Sequence, residues 1–499
     1  MAADASRPNI VLILVDDMGW SDVGCYGSEI PTPHIDALAE QGLRFTQFYN
    51  TGRCCPTRAA LLTGLYSHQT GVGHMTDDKG PEHPAYRGHL NDRCVTLGNV
   101  LGSAGYLTAL TGKWHVGNKE QSMWPLQRGF DRFYGVPEGG GFYFKVKSGR
   151  SVAEGNEVVF SEDQQPPEGW YSTDEWVTSG LRFIDEAQAA EKPFFLHLCH
   201  NAPHFPLQAP QEDIDRFRGK YRNGWQPLRE ARYQRQLEMG LVKADWPLSE
   251  LPDDLPEWSE LTDEKRDRFD HLMAIYAAVM ERMDRSIGTL VAGLKERGVL
   301  DNTLILFLSD NGGNAESGVD GRLDGDHPGD ADSNVFCGKC WATLSNTPFR
   351  RYKHFNHEGG IASPLIVHWP AGIKVRGELR HQPCHLIDIM TTLADVSGAE
   401  YPETQGVHAI QPAEGVSLLS AFANASLPER PLFWEHEGNA AVRLGDWKLV
   451  RLGKKGKWEL YDLAHDRTEL QDLSEAHPER ASELKQLWQE WARRCHVNE

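Results

Sequence analysis

Four short apolar runs, each handing over directly to side chains capable of chemistry, constrain this 499-residue chain more than any other feature. Asn9 to Val15 (NIVLILV) is continuous, β-branched and apolar, the pattern of a strand buried on both faces of a parallel sheet. It ends in Asp16-Asp17. Tyr106 to Thr111 reads as a short strand leading into Gly112-Lys113-Trp114-His115. Pro193 to Cys199 runs into His200-Asn201-Ala202-Pro203-His204, and Thr303 to Leu308 ends in Ser309-Asp310-Asn311-Gly312-Gly313. Pro364 to Val367 predicts a further strand before His368. In a parallel α/β sheet, ligands bind outside the carboxyl ends of the strands, so these distant polar groups are expected on one sheet edge.

The stretches between the runs supply helices. Thr32 to Gln41 predicts a short helix stopped at Gly42. Asp270 to Arg297 places Leu272, Ile275, Tyr276, Val279, Met283, Ile287, Leu290 and Leu294 at helical spacing, closed by Gly298, with its methionines as core filling. Residues 211–265 are charged and punctuated by Trp and Pro, and read as an irregular surface excursion that could wall a substrate cleft. Residues 314–346 are rich in Gly, Asp and Asn; a loop of this length inside a compact domain is functional or mobile. After about residue 425 the character changes: Ala440–Arg443, Trp447–Leu452 and Trp458–Tyr461 read as short antiparallel strands, and His477–Arg494 as a terminal helix. The expected fold is therefore α/β, with a large, mixed, mostly parallel sheet sandwiched by helices over residues 1–425. A smaller α+β domain, 426–499, carries an antiparallel sheet and the terminal helix.

The net charge of −20 and the lack of a long basic run argue against nucleic acid as partner. An acidic protein that handles an anion must gather Lys, Arg, His or a metal in one pocket. No run approaches the ~18 apolar residues of a membrane span. Met1-Ala2-Ala3-Asp4-Ala5-Ser6-Arg7 lacks a hydrophobic leader, so the chain as it stands is expected in the cytoplasm, or in the periplasm or outside the cell if a leader has been removed. Nine cysteines form no small-protein disulfide framework, and Cys337-x-x-Cys340 lacks a second ligand pair for zinc.

Asp16, Asp17, Asp310 and Asn311 are all oxygen donors, the hard ligands that calcium or magnesium takes; without His or Cys among them the set does not suit zinc. For Asp16 and Asp17 the alternative is that they cap the next turn. Separately, Thr51-Gly52-Arg53-Cys54-Cys55-Pro56-Thr57-Arg58 reads as a loop entering an apolar helix, with Pro56 suited to the N1 position. That puts Cys54 or Cys55 near the helix start, where free N–H groups favour an anion, and Arg58 on the face of Cys54.

Cys54-x-Pro56-Thr57-Arg58 followed by Thr63-Gly64 resembles the signature of the formylglycine-dependent sulfatases, the arylsulfatase-like members of the alkaline phosphatase superfamily. Gly112-Lys113-Trp114-His115 is similar to that family's Gly-Lys-Trp-His. Asn201-Ala202-Pro203-His204-Phe205-Pro206 is similar to its Pro-His-x-Pro segment. Lys353, five residues before Glu358-Gly359-Gly360, matches its lysine motif. The resemblance implies that a maturation enzyme oxidises Cys54 to formylglycine, that this side chain touches a calcium ion (magnesium as the alternative), and that the aldehyde hydrate attacks sulfur. It further implies that Arg58 stabilises the hydrate, that Lys113 and Lys353 hold sulfate oxygens, that His115 is the base that expels sulfate, and that His204, with Lys353, protonates the departing alcohol. The implied substrate is an aryl or carbohydrate sulfate monoester. The rivals are a phosphonate or phosphodiester hydrolase of the same superfamily and an inactive sulfatase-like binding protein. Trp434, His436 and Asn439 are weighed as sugar- or aryl-contacting groups against a role in joining the small domain to the large one. His200 and His357 read as structural.

Overall fold

A computed structural model describes residues 7–498; residues 1–6, on which the reading of the N-terminal leader rests, and residue 499 lie outside the described residues. The Asn9–Val15 strand sits mid-sheet, parallel to Phe194–Cys199 on one side and to Thr303–Ser309 on the other. Beyond Phe194–Cys199 come Leu107–Lys113 and Arg132–Val136, also parallel, then the antiparallel edge Val152–Glu154 and Glu157–Phe160. Beyond Thr303–Ser309, Ala362–His368 runs antiparallel and pairs with Leu43–Tyr49, to which Glu378–Arg380 and Cys384–His385 add in parallel. The result is a mixed, mostly parallel eleven-stranded sheet among the described residues.

The four strands are buried along their whole length apart from Asn9, which explains why they show no polar alternation. One face of the sheet is covered by the helices Pro33–Glu40, Ser172–Ala189 and Asp263–Glu296. The other is covered by Cys54–Thr63, Leu97–Ser103 and Asp388–Ser397. The long helix begins earlier than its apolar spacing indicates, because Thr262 accepts from the Lys265 N–H and caps a charged first turn. Met273, Met280 and Met283 lie in the core, as their spacing predicts.

The segment 211–265 is not an irregular surface excursion. It contains the helix Trp225–Glu238, which buries Trp225, Arg229, Arg232 and Gln236. Arg232 is fully buried and donates to Asp22 (2.8 Å) and to Glu29 (2.8 and 2.9 Å). Its charged composition conceals a packed helix, because these arginines find carboxylates and carbonyls inside the protein. Residues 314–346 likewise hold a small hairpin, Arg322–Asp324 with Asn334–Phe336, and the buried helix Lys339–Ser345.

Leu432–His436, Asn439–Leu444, Trp447–Arg451 and Trp458–Asp462 form an antiparallel sheet, followed by the helix Pro478–Arg494. Leu432–His436 is the strand that the sequence reading did not assign. This layer is tied to the large sheet by a buried ionic hub. Glu358 accepts from Lys448, Arg467 and the Tyr49 hydroxyl at 2.9 Å each, and Lys448 also lies 2.8 Å from Glu469.

Candidate active site

Parallel register brings the separate motifs together. Val15 pairs with Ser309, and Gly112 with Cys199. The next residues continue the match: the Asp310 N–H donates to the Val15 carbonyl, and the Asp16 N–H to that of Ala202, both at 3.0 Å. Asp16, Asp17, Lys113, His115, His204, Asp310 and Asn311 therefore share one edge, all buried. Asp17 and His115 have φ of 69° and 61°. Left-handed backbone at two non-glycine residues just past strand ends is costly, and strain of this kind gathers at functional sites.

The helix carrying Cys54 enters the same edge. It spans Cys54–Thr63, with Arg53 as N-cap and Gly64 as a left-handed C-cap. Cys54, not Pro56, is its first residue; Pro56 is the third, where its missing N–H is still one of the unpaired first-turn donors. Thr57 Oγ1 donates to the Asp310 carbonyl at 2.7 Å. Arg58 donates to Asp310 Oδ2 through Nη2 (2.9 Å) and Nε (3.2 Å), and to the Lys113 carbonyl (2.9 Å). Arg58 thus braces the two strand ends from beneath Cys54.

The carboxylates are shared unevenly. Lys113 Nζ donates to Asp16 Oδ2 at 2.5 Å, and Lys353 Nζ lies 2.8 Å from Asp17 Oδ1 and 3.1 Å from Oδ2. His204 Nε2 is 3.6 Å from Asp17 Oδ2. The Asn311 amide donates to Asp17 Oδ1 at 2.8 Å. Asp16 Oδ1 and Asn311 Oδ1, by contrast, are buried with no hydrogen-bond partner among the described residues. A buried acceptor without a donor costs about 1–3 kcal/mol, more if it is charged. Unsatisfied oxygens next in sequence to Asp17 and Asp310 are the hard donors a divalent cation takes, and ligand atoms of Asp16, Asp17 and His204 lie within 4.8 Å of one another. Burial, with the neighbouring Asp16 charge, holds the Asp310 carboxyl well above its ordinary range, as expected where carboxylates crowd together.

Around Cys54 the electrostatics favour an anion. The Cys55 thiol hydrogen bond holds the Cys54 thiol well below its ordinary value; burial opposes this, and Lys113 and His115 reinforce it. Burial, helped by Lys113, pushes His115 down to about 4, so its ring is neutral and able to take a proton. Burial also lowers His204. Burial disfavours charge on Lys353, but Asp17 outweighs it and the ammonium is held firmly protonated. A Cβ added at Gly139 would lie 1.9 Å from His115 Nε2, so only glycine lets this imidazole reach the site.

Cys54, His115, His204 and Lys353 line a cleft of about 350 Å³ whose other walls include Arg53, Met75, Thr76, Glu138, Arg150 and Glu316. Glu316 and Asn314 are site residues that the sequence reading did not single out. Glu316 pairs with Arg53 (2.7 Å) and Lys353 (3.0 Å), and the Asn314 amide donates to Asp17 Oδ2 (2.6 Å). Their only sequence signal is their place in the long 314–346 loop. No residue of 211–265 lines this cleft.

Trp434 is buried, donates its indole N–H to the Asn50 carbonyl (2.7 Å) and packs on Tyr49, so it presents no face for a sugar to stack on. Asn439 donates to the His354 carbonyl (2.9 Å), the joining role rather than the substrate one. His357 lies 3.3 Å from Glu459, and His200 is fully buried. The Cys337 and Cys340 thiols face the Leu272 and Val319 carbonyls instead of forming a ligand pair.

Residues 8–399 match the sequence model of the Sulfatase family, and 350–495 that of the N-sulphoglucosamine sulphohydrolase C-terminal region. An uncharacterized sulfatase of Schizosaccharomyces pombe is 33% identical, over 97% of this chain and 93% of its own length. The arylsulfatase of Klebsiella aerogenes is 34% identical over 86% of this chain and 95% of its own. Among solved structures, Ps i-CgsB in complex with a neocarrahexaose superposes with a TM-score of 0.71 at 26% identity, covering 98% of this chain and 93% of that one. With a family match across most of its length and two relatives above 30% identity, the chain belongs to the sulfatases, enzymes that hydrolyse sulfate esters.

Proposed function

We propose that this sulfatase acts through a formylglycine made from Cys54 by a maturation enzyme, with calcium in the cradle of Asp16, Asp17, Asp310 and Asn311 and the modified residue 54 beside it; magnesium is the alternative ion. The observation that carries this reading is the convergence of Cys54 with His115, His204 and Lys353 on one cleft, two of which, His204 and Lys353, also face the strand-end carboxylate Asp17. A bound divalent ion would supply positive charge to a sulfate oxygen and to residue 54.

The chain's own residues do the rest. The hydrated aldehyde carries two hydroxyls; one attacks sulfur in line with the ester oxygen as its own proton passes to Asp310, whose carboxyl is held well above its ordinary range by burial and the Asp16 charge. Lys113 and Lys353 bear on the equatorial oxygens, where charge develops, and being fixed in place they need no reorganisation. The sulfur–oxygen bond to the alcohol breaks, and His204, with Lys353, delivers a proton to that oxygen. His115 then takes the proton of the second hydroxyl. The carbon–oxygen bond to sulfate breaks, sulfate leaves and the aldehyde returns, so no stable ester has to be hydrolysed by a separate water. Arg58 holds the hydrate and ties it to Asp310.

The substrate class is an aryl or carbohydrate sulfate. Support for a saccharide comes from the mixed charges of the cleft wall, Arg53, Glu138, Arg150 and Glu316, which offer hydrogen bonds to hydroxyls, and from the oligosaccharide bound by Ps i-CgsB. Purified enzyme compared on an aryl sulfate and an aryl phosphodiester tests the reaction. A higher kcat/KM on the sulfate is expected; a preference for the diester would refute the assignment.

A further inference from the structure

At the rim of the cleft, and outside the machinery above, His74, His436 and Glu437 gather three ligand atoms within 4.8 Å of one another. Glu437 Oε1 lies 3.4 Å from His74 Nε2 and 3.6 Å from His436 Nε2. Ligand atoms bonded to one zinc at about 2.0–2.1 Å in tetrahedral geometry stand about 3.3–3.4 Å apart, so these two separations are nearly those of a formed site. The half-exposed His74 ring has the rotamer freedom to close the remaining pair.

The second observation is the state of His436. It is fully buried, yet among the described residues neither ring nitrogen has a hydrogen-bond partner. A buried imidazole normally satisfies at least one nitrogen, and this one points Nε2 at a carboxylate without reaching it.

The surroundings are those of a metal site with its supporting shell. His74 Nδ1 faces Asp77 at 3.4 Å, the carboxylate–histidine pairing that orients a ligating ring. Glu437 keeps its other oxygen for His354 Nδ1 at 2.9 Å, so it can bind an ion through Oε1 without losing that contact. Glu437 and Gly438 form the two-residue turn between Leu432–His436 and Asn439–Leu444, with φ of 52° and 81°. Glutamate is poorly suited to the left-handed conformation, and its use here sets the carboxylate facing both histidines.

We propose that His74, His436 and Glu437 form a second metal site for a zinc-class divalent cation, with its fourth position open to solvent. Two imidazoles and one carboxylate select such a metal over the hard cation suited to the oxygen cradle. The site would clamp the C-terminal sheet to the 71–76 loop at the cleft mouth. Through Glu437, His354 and Glu316 it would also be joined to Lys353 by contacts of 2.9, 3.0 and 3.0 Å.

The test is cobalt titration of the full chain, read by absorbance, in excess calcium and in a Cys54→Ser background that removes the thiol of the Cys54–Cys55–His115 group. The readout is metal binding, so the result is independent of whether the enzyme turns over a sulfate ester. We expect one equivalent to give the visible ligand-field band of tetrahedral cobalt, displaced by zinc. His74→Ala, at a half-exposed position that should fold, and His436→Gln should each weaken binding about 100-fold or more. Absence of the band in the parent, or binding unchanged in both variants, would overturn the site.

Discussion

At the junction of the two sheets, Glu358 is held by Lys448, Arg467 and Tyr49 at 2.9 Å each, with Glu469 2.8 Å from Lys448. At the strand edge, Asp16, Asp17 and Asp310 are held by Lys113, Lys353 and Arg58 at similar distances, yet Asp16 Oδ1 and its neighbour Asn311 Oδ1 have no donor. Both clusters are buried and both pair carboxylates with Lys and Arg. Both oxygens of Glu358 are taken; the hub leaves Arg467 Nη2 and Glu469 Oε1 without a hydrogen bond among the described residues, but none of its residues lines the Cys54 cleft. The Asp16 cluster leaves Asp16 Oδ1 and Asn311 Oδ1 without a donor among the described residues, and its partners His204 and Lys353 line the Cys54 cleft. Buried charge therefore does not by itself mark a functional site. What marks it is buried charge left incompletely paired beside a cavity, because folding alone gains nothing from that arrangement.

The largest separation between the two regions should come from Cys54→Ala. Turnover is expected to fall by about four to six orders of magnitude, the loss typical of a deleted covalent nucleophile. The urea midpoint should stay near that of the parent. Steady-state kinetics and equilibrium unfolding on one preparation check both halves.

Lys353→Met comes next. Removing one fixed charge from a developing oxyanion costs about 10²–10³ in rate, and here it should appear in kcat as well as in kcat/KM. An effect confined to KM would mean that Lys353 only binds substrate.

Glu358→Gln should do the reverse, lowering stability by about 3–5 kcal/mol by leaving two buried cations short of their partner, while sparing activity per folded molecule. Burial raises this carboxyl, but Lys448 and Arg467 outweigh it and hold it at about 2 against an ordinary 4.5. Because folding depresses it, its contribution is complete above about 4.5 and is lost as pH falls toward about 2. The stability gap between variant and parent, measured by denaturation across that range, should narrow in the same window. A gap that stays constant would show that the hub acts through shape instead of charge.

Calcium gives the smallest of these effects on stability. At a hundredfold excess over its dissociation constant it should stabilise the parent by about 2.7 kcal/mol. Asp310→Asn should weaken that response, and Glu358→Gln should leave it intact.

The strand-end constellation was legible because parallel sheets enforce it: continuous apolar runs followed by Asp16-Asp17, Lys113, His204 and Asp310-Asn311 have one geometric reading. The hub was not. Glu358, Lys448 and Arg467 are scattered polar residues whose pairing depends on how two sheets dock, which no periodicity records. The same limit hid the helix Trp225–Glu238, whose arginines look solvent-facing until Asp22 and Glu29 arrive from elsewhere. It also hid Glu316, a lone acid in a long loop. Trp434 misled in the opposite direction: Glu435, His436 and Glu437 follow it, but as part of a strand it turns inward toward Tyr49.

The most direct measurement is the mass of the peptide containing Cys54, taken from protein co-expressed with a formylglycine-generating enzyme and compared with the specific activity of the same sample. The account predicts the aldehyde in place of the thiol, with activity proportional to the fraction converted. Full activity from protein that carries only the unmodified thiol would contradict it.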